Sequence, residues 1–550
     1  MRQPLVRGND WRSLSVAALG GWTPTKTVSV VMPAWNPTKL APVLAALAGQ
    51  TYPSELVEVL VVDDGNPAPV ELPELRPERT RVVRVEEGWG RANAIQTGVE
   101  ASDGEIIVWL DDDMLVFGHH LEAHARWHHV IDHAVVLGTK RFVDPEVPLT
   151  PAEVRDRVVD GSIATLHDWE TSVPHGWVEE LWAETDDLTT GGWGSFRSVV
   201  GATVSMSRAM AEAAGGLQRR LRLGEDTEFG FRLAQAGAVL LPDHEARAWH
   251  LGFTHAMEHS ALVNRYNHAD FADHVPSLRS RRNRYGRSYR VPYVEVVVRA
   301  DGDAEGQLES VTQCVDALLD SDMLDLRVLL VGRWSSLDDR RVSPLHDPAR
   351  ELGVTHRWFR EEPRVDLVEP DDPRLAAPAR AVYRLTLHAS DLAPAVPAVR
   401  AWAYDMERTR LGLRRFLSAD GREVARMERV AAYGRAAWHG ARGAEADALV
   451  AEAFGAHDVA ALEAGWQPLE EREVPRFRNQ DLRQMDRAES WARAQREIAA
   501  GRAKVQRGPL RPATPRPQGT AEAATQGVRA SSSPRTRLGL GLGRRSRGDG

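Results

Sequence analysis

The chain has 550 residues, room for two or more domains, and 43% of them are hydrophobic, enough for ordinary cores. A single cysteine, Cys314, excludes disulfides within the chain and points to a reducing compartment. The net charge of −9 argues against wholesale nucleic-acid binding, and no apolar run reaches bilayer-spanning length, so the sequence reads as cytoplasmic.

The first 25 residues form an N-terminal extension whose apolar stretch SLSVAALGG is too short and weak for a signal peptide. TVSVVMPAW (27–35) is a β-branched run that predicts a buried strand. In the next segment Leu40, Val43, Leu44 and Leu47 fall on one helical face. VEVLVVDDG (57–65) and TRVVRVEEG (80–88) predict two further strands. GRANAIQTGVEASDG (90–104) reads as a glycine-flanked loop running into a helix, and EIIVWLDDD (105–113) as a fourth strand. This β-α-β-turn-β-α-β succession predicts an α/β fold with a mostly parallel sheet. In such sheets ligands bind beyond the carboxyl ends of the strands, where Asp63–Asp64 and Asp111–Asp113 both fall.

Residues 114–190 read as mixed helix and loop, 197–216 as a strand and a helix, and 223–252 as a loop, a helix and a short strand. A boundary follows near 280–290. The second half then restarts: VEVVVRADGDAEGQLESVTQCVDALLDS (294–321) echoes the first strand and helix, LRVLLVGRW (326–334) the second strand, and VYRLTLHAS (382–390) the fourth. Where acids end the first copy's strands, the second carries Gly332–Arg333 and His388–Ala389–Ser390. The expected division is a catalytic α/β domain at 26–285, a related α/β domain without the acids at 290–415, and a helical region at 416–500. The last segment, 501–550, holds eleven Lys and Arg against two acids and leaves −18 for the rest of the chain. Its Pro, Gly, Ser and Arg content predicts a disordered basic tail, with weak tethering to anionic lipid as the functional alternative.

Three consecutive aspartates repel one another unless something neutralises them. Hard carboxylate oxygens suit Mg²⁺ or Mn²⁺, ions that bind a few carboxylates together with substrate phosphates, so a nucleotide diphosphate is the natural partner. An acidic solvated turn is the plain alternative. A carboxylate of VVDDG beyond its strand suits a base or ribose, though Asp-Gly is also ordinary turn chemistry. Arg91 among glycines can fork onto a phosphate. Glu225 and Asp226 begin a predicted helix, where acids are common, yet either could serve as a general base. His250 after its strand is a candidate third metal ligand. His120, His124 and His128 share a helical face at a zinc-compatible spacing, but no Glu-flanked metalloprotease pattern accompanies them, and the structural reading is preferred.

Taken in order, VSVVMPAWN, VEVLVVDDG, GRANAIQTG, GEIIVWLDDDM and LGEDTEFGFRL resemble family 2 glycosyltransferases of the GT-A fold, over residues 25–255. The resemblance implies a hexosyltransferase-type enzyme with a Rossmann-like domain. Pro33 and Trp35 would line the nucleotide base, Asp64 would read it, and Arg91, in place of a common lysine, would face the diphosphate. Asp111–Asp113 match the DXD motif. Asp113 would hold the ion with Asp111 and, by a looser match, His250, while Asp111 and Asp112 would address ribose or metal-bound water. Asp226 matches the acid of the ED motif, the base of inverting enzymes. Glu225 and Trp193 would lie on the acceptor side.

The Gln-x-x-Arg-Trp motif of processive synthases is missing where the family has it, and membrane helices are missing too. The doubled architecture is similar to bacterial enzymes with tandem GT-A domains. The implied partners are a nucleotide-diphosphate sugar and a glycan or lipid-linked acceptor in envelope polysaccharide or glycoconjugate synthesis, at the cytoplasmic face of the membrane if the tail tethers there, with no nucleic acid. The rivals are a nucleotidyltransferase, which would need a Gly-rich loop after the first strand, and a catalytically inactive carbohydrate-binding scaffold.

Overall fold

The computed structural model describes residues 3–276, 288–300, 307–338, 341–343, 346–388, 392–469 and residue 496, so the basic tail lies outside the described residues. The first sheet holds β1 (Val28–Ala34), β2 (Val57–Asp63), β3 (Thr80–Arg84), β4 (Ile106–Leu110), β5 (Met114–Val116), β6 (Ala134–Val143), β7 (Val173–Pro174), β8 (Thr203–Ser207) and β9 (Val239–Leu251). The strand order is β3-β2-β1-β4-β8-β6-β9-β5, with β7 on β6. Strands β3-β2-β1-β4 run parallel, as do β6 and β9, while β8 lies antiparallel between β4 and β6.

Every residue of β2 and β4 is buried, because helices cover both faces; this is why those strands read as unbroken apolar runs. On one face, Leu40, Val43, Leu44 and Leu47 of α1 (Leu40–Ala48) pack with Val28, Val30 and Met32. On the other, Ala94, Ile95 and Val99 of α2 (Arg91–Ala101) pack with Val31, Leu60 and Val62. Gly98 permits that approach, since a Cβ there would stand 2.4 Å from Val31 and 2.8 Å from Val62. The parallel register pins Val28 opposite Val57 on one side and Ile106 on the other, so β1, β2 and β4 deliver their carboxyl ends to one edge.

The histidines of α3 (His120–His128) are structural. All three rings are buried, which lowers His120 to about 4 and His128 to about 3 and keeps both neutral. His120 Nδ1 donates to the Arg247 carbonyl at 3.0 Å, so its Nε2 accepts from the Thr203 hydroxyl at 2.9 Å. Thr203 then accepts from His124 Nε2, Ser205 donates to His124 Nδ1, and His128 Nε2 donates to Ser205. Each tautomer follows from its neighbour along this chain, which fastens α3 to β8.

The echo in the second half is a real repeat of topology. Strands β10 (Val294–Arg299), β11 (Leu326–Val331), β12 (Val365–Val368), β13 (Tyr383–Leu387), β15 (Leu413–Leu417), β16 (Glu423–Arg429) and β17 (Ala456–Ala460) form a sheet in the order β12-β11-β10-β13-β16-β15-β17. A separate pair joins β14 (Leu392–Pro394) to β18 (Trp466–Pro468). Val294 stands opposite Leu326 and Tyr383 as Val28 stands opposite Val57 and Ile106, and β16 is antiparallel beside β13 as β8 is beside β4. One correction follows for 391–500, which reads as helical. Among its described residues, helices Ala398–Thr409, Val430–Trp438 and Ala444–Phe454 are present, but five strands accompany them, and a boundary at 415 would cut β15; 470–495 and 497–500 lie outside the described residues. LRRFL and EVARMER are rich in helix-favouring Arg, Glu and Met; distant partners in β13 and β17 decide their state. Among the described residues no helix is long and apolar enough to cross a membrane.

Candidate active site

β2 ends on Asp63, and the two adjacent acids diverge there. Asp63 is buried and accepts from the Gly65 and Asn66 amides at 3.1 and 2.8 Å and from Asn66 Nδ2 at 2.8 Å. Burial pushes its pKa up, but the Asn66 and Gly65 hydrogen bonds with Arg84 outweigh it and hold it below the usual range. Asp63 is thus the turn residue. Asp64 points the other way, with both oxygens 2.8–2.9 Å from the Gly90 amide, and burial raises its pKa. Gly90 has φ +97°, a conformation open to glycine, and it presents that amide at the start of α2.

Arg91, the first residue of α2, is occupied by acids. Its Nη2 and Nε reach Asp111 Oδ1 at 2.7 and 3.2 Å, Nη1 reaches Glu225 Oε1 at 2.7 Å, and Nη2 also donates to the Gly201 carbonyl at 2.6 Å. Its pKa is raised, Asp111 and Glu225 overcoming burial. Glu225 itself is buried and its pKa raised by that burial, with Arg91 opposing. The expectation that Arg91 faces a diphosphate therefore meets a guanidinium already engaged by two carboxylates.

The three aspartates form the turn between β4 and β5. Asp112 is pushed up to about 7 and Asp113 up to about 8, by burial first and then by repulsion from Asp111. β5 pairs antiparallel with β9, placing Met114 opposite His250, and the Leu251 amide donates to the Asp113 carbonyl at 2.9 Å. Long-range pairing thereby carries His250 to the turn, where its Nδ1 lies 3.7 Å from Asp113 Oδ2. One ligand atom each from Asp111, Asp113 and His250 lie within 4.8 Å of one another. Both His250 nitrogens and Asp113 Oδ1 are buried without hydrogen-bond partners, and burial draws His250 down to about 4, leaving a neutral imidazole. Two carboxylates and a neutral imidazole fit a divalent cation such as Mn²⁺.

The raised Asp113 carboxyl makes a signed prediction. Its folded pKa of about 8 exceeds the ordinary 3.8, so without metal its contribution to stability is full below that ordinary value and lost as pH rises through about 8. Asparagine does not titrate. The melting temperature of metal-free Asp113→Asn, relative to the native chain, is expected to climb between about pH 5 and pH 8. A flat or falling difference in a thermal-shift series contradicts the burial of that charge.

The other acid enters with α7 (Glu225–Gln235), preceded by Gly224 at φ +74°. Asp226 accepts from the Gly201 amide at 3.2 Å and from the Thr227 amide at 2.7 Å. Gly201 therefore joins the two halves of the site: its carbonyl binds Arg91 and its amide binds Asp226. Asp112 and Asp113 line an open cleft of about 850 Å³ with Trp35, Phe142, Leu251 and Phe253. Trp35 is exposed there, and Pro33 sits half-buried in β1. Asp64, Arg91, Glu225 and Asp226 do not line that cleft. Trp193 opens the short helix Trp193–Ser198, and its side chain lies outside the described ones.

Lys140 of β6 is absent from the sequence expectations. It is buried, and burial draws it down to about 8 although Asp111, Asp226 and Glu179 pull the other way. A lysine inside AVVLGTKRFV, otherwise a buried strand, is the signal that could have found it.

Residues 29–199 match the family model described as glycosyl transferase family 2. No curated protein matches the chain. Among solved structures it is similar to the mannosyltransferase PcManGT from Pyrobaculum calidifontis in complex with GDP-Man and Mn²⁺, at 17% identity and a TM-score of 0.30, over 48% of this chain and 66% of that one. It is also similar to S. aureus TarS 1-349, at 16% identity and 0.31, over 45% and 66%. A third likeness is GalNAc-T7 with UDP, GalNAc and Mn²⁺, at 17% and 0.32, over 42% and 44%. The chain spans less than two thirds of the length of these proteins, and at such scores the likenesses carry no argument about function.

Proposed function

We propose that this chain, whose residues 29–199 belong to glycosyl transferase family 2, moves a sugar from a nucleotide-diphosphate donor to an acceptor hydroxyl with inversion. The observation that carries the reading is the meeting of Asp111, Asp113 and His250, with Asp113 Oδ1 and both His250 nitrogens unpartnered, at the carboxyl edge of the strands that also carries Asp64. Asp111, Asp113 and His250 would hold Mn²⁺ or Mg²⁺. When bound, the ion supplies Lewis-acid stabilisation of the charge growing on the departing diphosphate. Asp64 and the exposed Trp35 bind the nucleoside. Asp226, fixed by the Gly201 amide, takes the proton from the acceptor hydroxyl as its oxygen attacks the anomeric carbon. The bond to the diphosphate breaks as the new glycosidic bond forms. Arg91 keeps Asp111 and Glu225 in place; a contact to the diphosphate would require it to release one of them. The acceptor is a glycan or lipid-linked glycan of the cell envelope, and the second sheet, whose β11 and β13 lead into Gly332–Arg333 and His388 where β2 and β4 lead into aspartates, is a non-catalytic GT-A-like domain.

Incubation with UDP-, GDP- and TDP-sugars plus Mn²⁺ and a panel of methyl glycosides, followed by NMR, tests this. The reading expects release of a nucleoside diphosphate and a new glycosidic linkage from one donor, both stopped by chelation. Consumption of a nucleoside triphosphate with a sugar phosphate, releasing pyrophosphate, would establish the nucleotidyltransferase instead. No turnover and no nucleotide binding would leave the scaffold.

A further inference from the structure

The geometry points to the second sheet as a positioning element for α7, acting through Arg435. This rests on the reading of Asp226 as the base. Arg435 lies on helix Val430–Trp438, which continues directly from β16. Its guanidinium is buried in a cage of backbone carbonyls. Nε donates to Gly237 at 2.5 Å, Nη2 to Ala238 at 2.9 Å, and Nη1 to Val6 and Gly8 at 3.2 and 3.3 Å. No described carboxylate offsets its burial, which draws its pKa down to about 9.

Gly237 and Ala238 immediately follow α7, and Trp438 Nε1 donates to Ala236, the C-cap, at 2.9 Å. The carbonyls of Arg232, Leu233 and Ala234 in the last turn of α7 accept from the amides of Ala236, Ala238 and Gly237, and the carbonyls of that closing segment are in turn bound by an indole and a cation from the second sheet's helix. A cation also complements the negative end of the helix dipole. Two glycines make the approach possible: a Cβ on Gly434 would stand 2.4 Å from the Gln235 carbonyl, and one on Gly237, at φ +90°, 2.3 Å from the Arg435 nitrogen. Midway along α7, Gly230 rests against the Phe196 carbonyl, where a Cβ would stand at 2.6 Å.

Helix α7 is a rod of eleven residues, about 16 Å long at 1.5 Å per residue. Its far end carries Glu225 and Asp226. Directional hydrogen bonds fix both the roll and the axial position of that rod, which an apolar contact would let slide. A general base misplaced by about 1 Å loses on the order of a hundred-fold in rate. On the donor side, Asp64 follows β2 and is held by the Gly90 amide, and Asp113 lies in the β4–β5 turn; only Asp111 is tied to α7, through Arg91 and Glu225.

The test uses the full chain with Arg435→Lys and, because a buried arginine can be essential for folding, Trp438→Phe, which removes one hydrogen bond and keeps an aromatic ring, though a smaller one. Three quantities are read: hydrogen exchange of the 225–235 amides, Mn²⁺-dependent donor affinity, and kcat. Expected are faster exchange along 225–235 and a kcat lowered about ten-fold or more, with donor affinity within about two-fold of the native chain. Native kcat in both variants overturns the proposal, whatever happens to Tm. So does loss of donor affinity in parallel with kcat, and so does unchanged exchange in α7. If the native chain itself transfers no sugar, the reading of Asp226 has failed separately, and exchange along 225–235 still decides whether the second sheet governs α7.

Discussion

Asp226→Asn is expected to lower sugar transfer by about a thousand-fold, the middle of the range for a positioned general base, and to leave Mn²⁺-dependent donor binding intact. The substitution is nearly isosteric. Its amide oxygen can still accept from the Gly201 N–H that meets Asp226 at 3.2 Å, which keeps the tie to α7, although the amide nitrogen cannot accept from the Thr227 N–H as the other carboxylate oxygen does. What is lost is the capacity to take a proton. The same logic separates Asp226 from its neighbour. Glu225 gives an oxygen to Arg91 at 2.7 Å, and Glu225→Gln should disturb Arg91 and Asp111 as well as any acceptor contact. Initial rates and donor titrations on purified Asp226→Asn check the assignment, and turnover within about ten-fold of native would remove Asp226 from the role of base.

Asp113→Asn is expected to raise stability and destroy function together. In the metal-free chain Asp113 is half-buried beside Asp111 and Asp112, and both neighbours disfavour its charge. A neutral amide relieves that repulsion. It also takes away a charged oxygen ligand, and Mn²⁺-dependent donor affinity should fall by at least about a hundred-fold, the upper end of what losing a metal ligand's own hydrogen-bond partner costs. Opposite signs in stability and binding mark a site whose strain is kept for a ligand. A residue that served only the fold would lose stability on replacement.

The fully buried strands were legible because both faces are covered, which leaves no alternation to misread. The carboxyl-end aspartates were legible because a chain that leaves the sheet there has only one edge to leave from. Sequence order could not say which acid of Asp63–Asp64 turns outward; the Asn66 side chain decides it by binding Asp63. Nor could it show Arg91 between Asp111 and Glu225, because that contact joins segments more than a hundred residues apart. His250 is legible as a candidate ligand from its place after a strand, but not its position in the site. Its place by Asp113 depends on β5 pairing with β9, a register no local pattern encodes. Lys140 and Arg435 were missed for the same reason. A lone basic residue in a strand or helix looks solvated until its neighbours are known. The strands of the C-terminal part were masked by helix-favouring side chains whose partners lie in β13 and β17.

The deciding measurement is calorimetric titration of the native chain and of Asp113→Asn with UDP-, GDP- and TDP-sugars, with and without Mn²⁺. The account predicts that one nucleotide sugar binds the native chain only when Mn²⁺ is present, and that Asp113→Asn loses this binding. Binding that is indifferent to Mn²⁺, or that survives the substitution unchanged, would contradict a donor site built around Asp111, Asp113 and His250.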